Sequence, residues 1–374
     1  MDKVIEQSPY ADAKGRLYYY DNAKFILIFL VVLAHAISPF REYGESKEIF
    51  MYIWRVINTL HMPCLIFISG FFAKKFIGKG GAIKVQRVFT YVMYYAFAQI
   101  TVGLFETKVL GQYIGFSFFN PRSSLWFLAC LIWWYSFLPL VDKIKPEVMI
   151  PVAFILAMAI GYDQKVGNFM SISRAITQYP FFLCGYYFTP EMFSKIYSKK
   201  GRILSIPIGL ASLGIFVLIN IFFKPFGNLA TSVNRVITCN YNYNSIFANS
   251  RVPVGFGFLT RLAFFLLAAG LCYTFLAWTP RKKHFFTKYG ARTLAVYILH
   301  RYLYLAYRQY EWFTIFDKAP YLRWAIIPVA FIITFVFSTY PFWLPFKWLG
   351  QIKITKLLKD NKPKNAEEKS EAKN

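Results

Sequence analysis

The sequence predicts an all-α, polytopic integral membrane protein with about ten transmembrane helices and both termini cytoplasmic. Three observations carry that expectation. Of 374 residues, 57% are hydrophobic and only 16% charged, whereas an ordinary soluble domain carries about 25% charged residues. Apolar stretches such as 25–36, 203–223 and 326–340 recur along the whole length, and roughly 20 mostly apolar residues cross about 30 Å of hydrocarbon. Lysine and arginine alternate in density from one connecting segment to the next.

In order, the expected spans lie at 24–40, 52–73, 86–105, 124–141, 148–162, 175–189, 203–223, 254–279, 290–309 and 324–346. The fifth and sixth are short for a straight crossing, which suits a locally thinned bilayer. Residues 1–23 form a cytoplasmic N-terminal segment, 24–346 the membrane domain and 347–374 a basic cytoplasmic tail. The tail beyond Leu358 is rich in Lys, Glu and Asn and is expected to be disordered. The first 20 residues are mostly polar, so residues 25–40 read as an uncleaved first span and no signal peptide is expected. Alternate connections hold 28 and 14 Lys and Arg residues, with Arg261 inside the eighth span left aside. The richer side is cytoplasmic by the positive-inside rule, and an even number of spans puts both termini there. The expected location is the plasma (inner) membrane, multi-pass.

A net charge of +25 does not make this a nucleic-acid binder, because basic residues of membrane proteins collect in cytoplasmic loops. The expected partner is the lipid bilayer, with no nucleic acid. Cys64, Cys130, Cys184 and Cys272 lie in apolar segments and read as small core residues. Only Cys239 falls in a connection, and no CxxC pair, disulfide framework or metal-ligand spacing is present. The longest outer connection, 224–253, carries Asn234, Asn240, Tyr241, Asn242, Tyr243 and Asn244. Amides beside aromatic rings suit sugar hydroxyls and C–H faces; a polar loop resting at the headgroups is the alternative. No internal repeat suggests the paired halves of a transporter.

An ionisable residue within the bilayer costs a few kcal/mol and is a functional candidate by default. Of four histidines, His284 sits in a basic loop, while His35, His61 and His300 lie in or near apolar spans. His35 follows ten consecutive residues without a polar side chain. Lys24 precedes it by 11 residues, which is about 20° from the same helical face and about 16 Å of rise. One face therefore carries a cation at the cytoplasmic mouth and an imidazole in the outer half. Imidazole titrates near neutrality and suits general-base work; the cation suits a phosphate. A donor with a charged nucleotide end and a long thin arm, such as acyl-CoA, matches that line. The bland alternatives are interhelical hydrogen bonding for His35, packing beside Pro63 for His61, packing for His300, and snorkelling to the interface for Arg261.

The stretch Tyr20-Asp21-Asn22-Ala23-Lys24-Phe25 running to His35 resembles the first helix of the acyltransferase-3 family of membrane sugar O-acyltransferases, most of all its fucose 4-O-acetylase-like branch. Residues 61–72, ending in Ser69-Gly70-Phe71, resemble the family's second helix. Ser124-Leu125-Trp126-Phe127-Leu128 resembles its fourth. Residues 178–187 and 293–300 resemble two later signatures in the expected order. The likeness extends from about residue 16 to 305. It implies ten core helices, an acyl-CoA donor approached from the cytoplasm, an outer sugar acceptor, and His35 as the catalytic histidine.

Lys24 stands where relatives often have Arg, which keeps the charge but loses the bidentate fork. Leu131 stands where some relatives carry Glu, so a mechanism through that acid is not expected. No fused extracellular esterase-like domain is expected. Arg87 resembles a family arginine and, with Lys24, Arg16 and Lys84, would bind the phosphates of CoA; positive-inside bias accounts for the same charges. Arg174 and Trp126 would lie on the acceptor side, with snorkelling the alternative for Arg174. His61, Ser69 and His300 would support His35. The expected function is transfer of acetyl from acetyl-CoA, with no bound cofactor, to a hydroxyl of a cell-surface or lipid-linked glycan. The rivals are a transporter or flippase for a glycan precursor and a non-catalytic scaffold.

Overall fold

Hydrocarbon offers backbone N–H and C=O groups no partners, so a chain this apolar must satisfy them within helices or a closed barrel. The computed structural model describes residues 10–11, 15–42, 44, 46–112, 115, 117–165, 169–223, 227–248 and 253–354. Residues 1–9, Lys224, Arg251 and the tail beyond 354 lie outside the described residues, so the expected disorder of that tail does as well. Among the described residues the protein is all-helical, with no strand. The main helices are α1 (Tyr18–Ala36), α2 (Lys47–Phe71), α3 (Val85–Leu104), α4 (Trp126–Ser136), α5 (Pro146–Ala159) and α6 (Ile172–Tyr187). They continue with α7 (Lys199–Phe223), α8 (Gly227–Thr238), α9 (Gly257–Trp278), α10 (Thr293–Gln309), α11 (Ile326–Phe337) and α12 (Tyr340–Leu349).

Six helical segments are long and apolar enough to cross a membrane: Tyr18–Ala36, Lys47–Phe71, Val85–Val109, Lys199–Ile219, Val254–Trp278 and Pro320–Phe337. Two shorter apolar helices, Trp126–Ser136 and Pro146–Tyr162, accompany them. Burial sorts them: 67% of the α1 window is inside the protein, against 22% for α7. Exposed aliphatic side chains recur along the outer helices, such as Leu210 at 65% and Leu266 at 67% exposure, and suit lipid. The protein is a membrane protein.

Three expectations are corrected in detail. The fourth span is broken at Phe137, where Pro139 starts a short helix, Leu138–Val141. The tenth is broken between α11 and α12, where Pro341 occupies the first turn of α12 and cannot continue the preceding hydrogen-bond ladder. The 224–253 connection is largely helical, holding α8 and a turn at Tyr243–Phe247.

The connections gather at two ends. At the basic end, Asn22 Nδ2 donates to the carbonyls of Pro280 and Lys282, both at 2.9 Å. Tyr187 donates to the carbonyls of Val141 and Ile144, and Gln86 to that of Ile352. At the far end, Met170 N donates to Phe119 O, Tyr162 to Gly255 O and Tyr307 to Ala36 O. The centre is built on α1 and α2, with α2 packed along α6. There Gly70 and Gly185 let the backbones touch: a Cβ at Gly70 would stand 2.0 Å from Phe182 O, and one at Gly185 1.9 Å from Phe67 O.

Candidate functional site

The last turn of α1 holds His35, just before Ile37 ends the helix and Pro39 opens a 3-10 turn. Proline has no N–H to extend the ladder, so the chain must leave the helix there. The His35 ring is half-buried. Among the described residues neither of its nitrogens has a hydrogen-bond partner. It opens on a cavity of about 260 Å³ lined by Val32, His300, Tyr304, Tyr307, Trp312 and Val329, among others. Its centroid lies 5.3 Å from that of His300 and 4.9 Å from that of Tyr304.

His300 sits in α10 and His61 in α2, both buried. Each places Nδ1 against a carbonyl one turn back: His300 to Val296 O at 2.8 Å, His61 to Ile57 O at 2.6 Å. A carbonyl only accepts, so Nδ1 carries the hydrogen in both rings and Nε2 presents a lone pair. The His300 Nε2 is buried without a partner. His61 lies on α2, which packs against α1. His35 and His300 are thus brought together. Next along α10, Arg301 reaches Glu106 at 3.9 Å, and Arg122 also pairs with that carboxylate.

At the opposite end of α1, the Asp21 carboxylate accepts from Arg16 Nε at 2.5 Å and Nη2 at 2.6 Å, and pairs with Lys24 at 2.9 Å. Arg16 and Lys24 thus share the Asp21 carboxylate, and Lys24 and Lys75 both lie over the Phe72 ring. Lys84 Nζ donates to Lys75 O at 3.1 Å. Arg87 is exposed and lies over Phe76, 5.7 Å from its centroid. The four expected phosphate-binding residues therefore share the basic end, with Arg16 and Lys24 tied to one acid, Lys84 capping α3 and Arg87 in its first turn.

Other expected residues fall differently. Ser69 donates to Leu65 O at 2.8 Å near the basic end of α2, where Phe71 stacks on Tyr20. It lies level with the start of α1, at the end of that helix opposite to His35, and does not support His35 from there. Arg174 and Trp126 are brought together, with the guanidinium 5.1 Å from the indole centroid. Arg261 does not snorkel: it is 2% exposed and donates to the carbonyls of Ala157 and Tyr241. Those two carbonyls satisfy the guanidinium inside the protein, which removes the reason to reach for the interface. Leu131 is buried in α4.

Sequence reasoning missed Asp21, Tyr304 and the Glu106–Arg301 pair. Signals for two of them were present. Tyr304 follows His300 by four residues, one turn on the same face, and Glu106 is an acid at the end of a long apolar run. The role of Asp21 needed the structure.

A cationic cluster and an unengaged imidazole thus stand at opposite ends of one central helix. No curated protein and no solved structure matches the chain. The family model for an acyltransferase domain matches residues 17–343, most of the chain, so the protein belongs to the acyltransferase-3 family and is a membrane acyltransferase.

Proposed function

We propose that the protein is an O-acetyltransferase of the plasma (inner) membrane, moving acetyl from cytoplasmic acetyl-CoA to a sugar hydroxyl of a cell-surface or lipid-linked glycan. It crosses the bilayer ten times with both termini inside and the basic end cytoplasmic. The observation that carries this reading is the pairing on α1 of the Arg16–Asp21–Lys24 cluster with the His35 imidazole in its cavity. Lys24 and Arg16, with Lys84 and Arg87, hold the donor's phosphates, and the thin arm runs along α1 toward His35. The sugar acceptor rests on the motif resemblance to the fucose 4-O-acetylase-like branch.

In the reaction His35 takes the proton of the acceptor hydroxyl. The oxygen attacks the thioester carbonyl, the C–S bond breaks, and the leaving thiolate takes the proton back from the imidazolium. His300 lines the same cavity with an Nε2 lone pair, and His300 and His61 orient the hydroxyl or the imidazole. The low-polarity surroundings strengthen each of these contacts. A transient acetyl-histidine followed by transfer to the sugar gives the same products.

The test is the O-acetyl content of surface glycans, by NMR, in a deletion strain complemented with wild type or His35→Ala at equal membrane expression. Acetyl signals restored only by wild type are expected, with a loss of about 10²–10⁴ in rate for the variant. Signals unchanged by the deletion would sink the glycan reading. Failure of radiolabelled acetyl-CoA to bind the purified protein would instead favour a transporter or flippase.

A further inference from the structure

At the far end, the first turn of α6 places Arg174 beside Trp126 of α4 and the 238–241 segment. Arg174 Nε donates to Thr238 O at 3.2 Å, and its guanidinium stacks over Trp126. Among the described residues no carboxylate pairs with it. Thr177 and Gln178 follow at spacings of three and four, so they share its helical face. Both are buried, at 0% and 3% exposure, yet Thr177 Oγ1 and Gln178 Oε1 have no protein hydrogen-bond partner. Asn240 Oδ1, two residues beyond Thr238, and Ser124 Oγ, two before Trp126, are likewise buried and unpartnered.

Buried polar atoms are normally satisfied, and several orphans in one corner call for an explanation. A half-buried cation without a carboxylate partner among the described residues calls for another. One ligand answers both. The guanidinium fork matches a carboxylate or phosphate, while the hydroxyl and amide oxygens match sugar hydroxyls. The corner is also joined to the reaction centre by a continuous aromatic path. Ring centroids step from Trp126 to Phe127 at 6.1 Å, to Tyr297 at 5.7 Å, to His300 at 6.2 Å and to His35 at 5.3 Å.

We propose that Arg174, Thr177, Gln178 and Asn240 form an acceptor subsite that takes an acidic glycan, its carboxylate or phosphate on Arg174 and its hydroxyls on the orphaned oxygens. This deepens, and rests on, the reading of the protein as a sugar O-acetyltransferase. The subsite holds a unit of the acceptor chain one or more residues from the hydroxyl presented to His35.

The experiment uses the full chain in phosphatidylcholine nanodiscs, which supply no anionic headgroup. Binding of glucuronate, glucose 1-phosphate and glucose is measured by thermal shift, with acetate and chloride at matched ionic strength as controls. At least one acidic sugar is expected to bind about tenfold tighter than glucose. Arg174→Gln abolishes that preference, Arg174→Lys retains part of it, and acetyl-CoA binding is unchanged in both. No preference in wild type, or one that survives Arg174→Gln, overturns the proposal. A shift matched by acetate or chloride marks an adventitious ion only, and also overturns it. Loss of the preference in phosphatidylglycerol nanodiscs would identify a lipid headgroup as the occupant instead. If wild type fails to bind acetyl-CoA, the acyltransfer reading fails separately, whatever the acidic sugars do.

Discussion

Asn22 shows how one side chain can hold the first helix in place. Its Nδ2 donates to two carbonyls of the 280–282 segment, and its Oδ1 accepts from Thr287 Oγ1 at 2.6 Å. All three bonds are buried or partly buried, where an unmade bond costs about 1–3 kcal/mol. Asn22→Leu strands two carbonyls and a hydroxyl and should cost about 3 kcal/mol. Thr287→Val strands the Asn22 Oδ1 acceptor and the His284 N–H donor and should cost about 2 kcal/mol. The apparent melting temperature of purified protein should therefore fall in the order wild type, Thr287→Val, Asn22→Leu; equal values for all three would refute the latch. His35 and His300 were legible in the sequence because an imidazole is conspicuous among apolar neighbours. Asn22 was visible only as part of a motif, because its partners lie more than 250 residues away.

The spacing of apolar residues located the long helices but not their breaks or the amphipathic α8. In α8, Leu229, Val233, Val236 and Ile237 recur at helical intervals, yet the polar residues between them read as a loop. The tight seam between α2 and α6 was equally hidden, since glycine in a membrane helix has several uses. In the structure Gly70 and Gly185 each face the other helix's backbone at a distance no Cβ could share. Gly185→Ala or Gly70→Ala should force the helices apart and cost about 1–3 kcal/mol by overpacking. Because both report on one interface, the double variant should cost less than the sum. Thermal unfolding of the two single variants and the double variant checks this; two undisturbed single variants would show that the seam can relax freely. Since α2 carries His61 toward the centre, the same variants should also lower the transfer rate.

At the scale of the whole molecule, function and orientation depend on each other. A cytoplasmic donor requires the Arg16–Asp21–Lys24 end to face the cytoplasm, which is also the side where the sequence concentrates lysine and arginine. Both requirements can be tested with single cysteines at exposed positions: Lys84→Cys and Lys283→Cys at the basic end, Lys165→Cys and Gln309→Cys at the far end. Four of the five native thiols are buried and the fifth is half-buried, so background labelling should be low. A membrane-impermeant maleimide applied to intact spheroplasts should label positions 165 and 309, and should reach 84 and 283 only after permeabilisation. The reverse pattern would leave the cationic cluster outside, away from any acetyl-CoA, and the proposed direction of transfer would fail with it. Labelling of all four before permeabilisation would mean that the two ends are not separated by a bilayer. The wide separation of the cluster from His35 along α1 would then need a different explanation from a donor that threads the membrane.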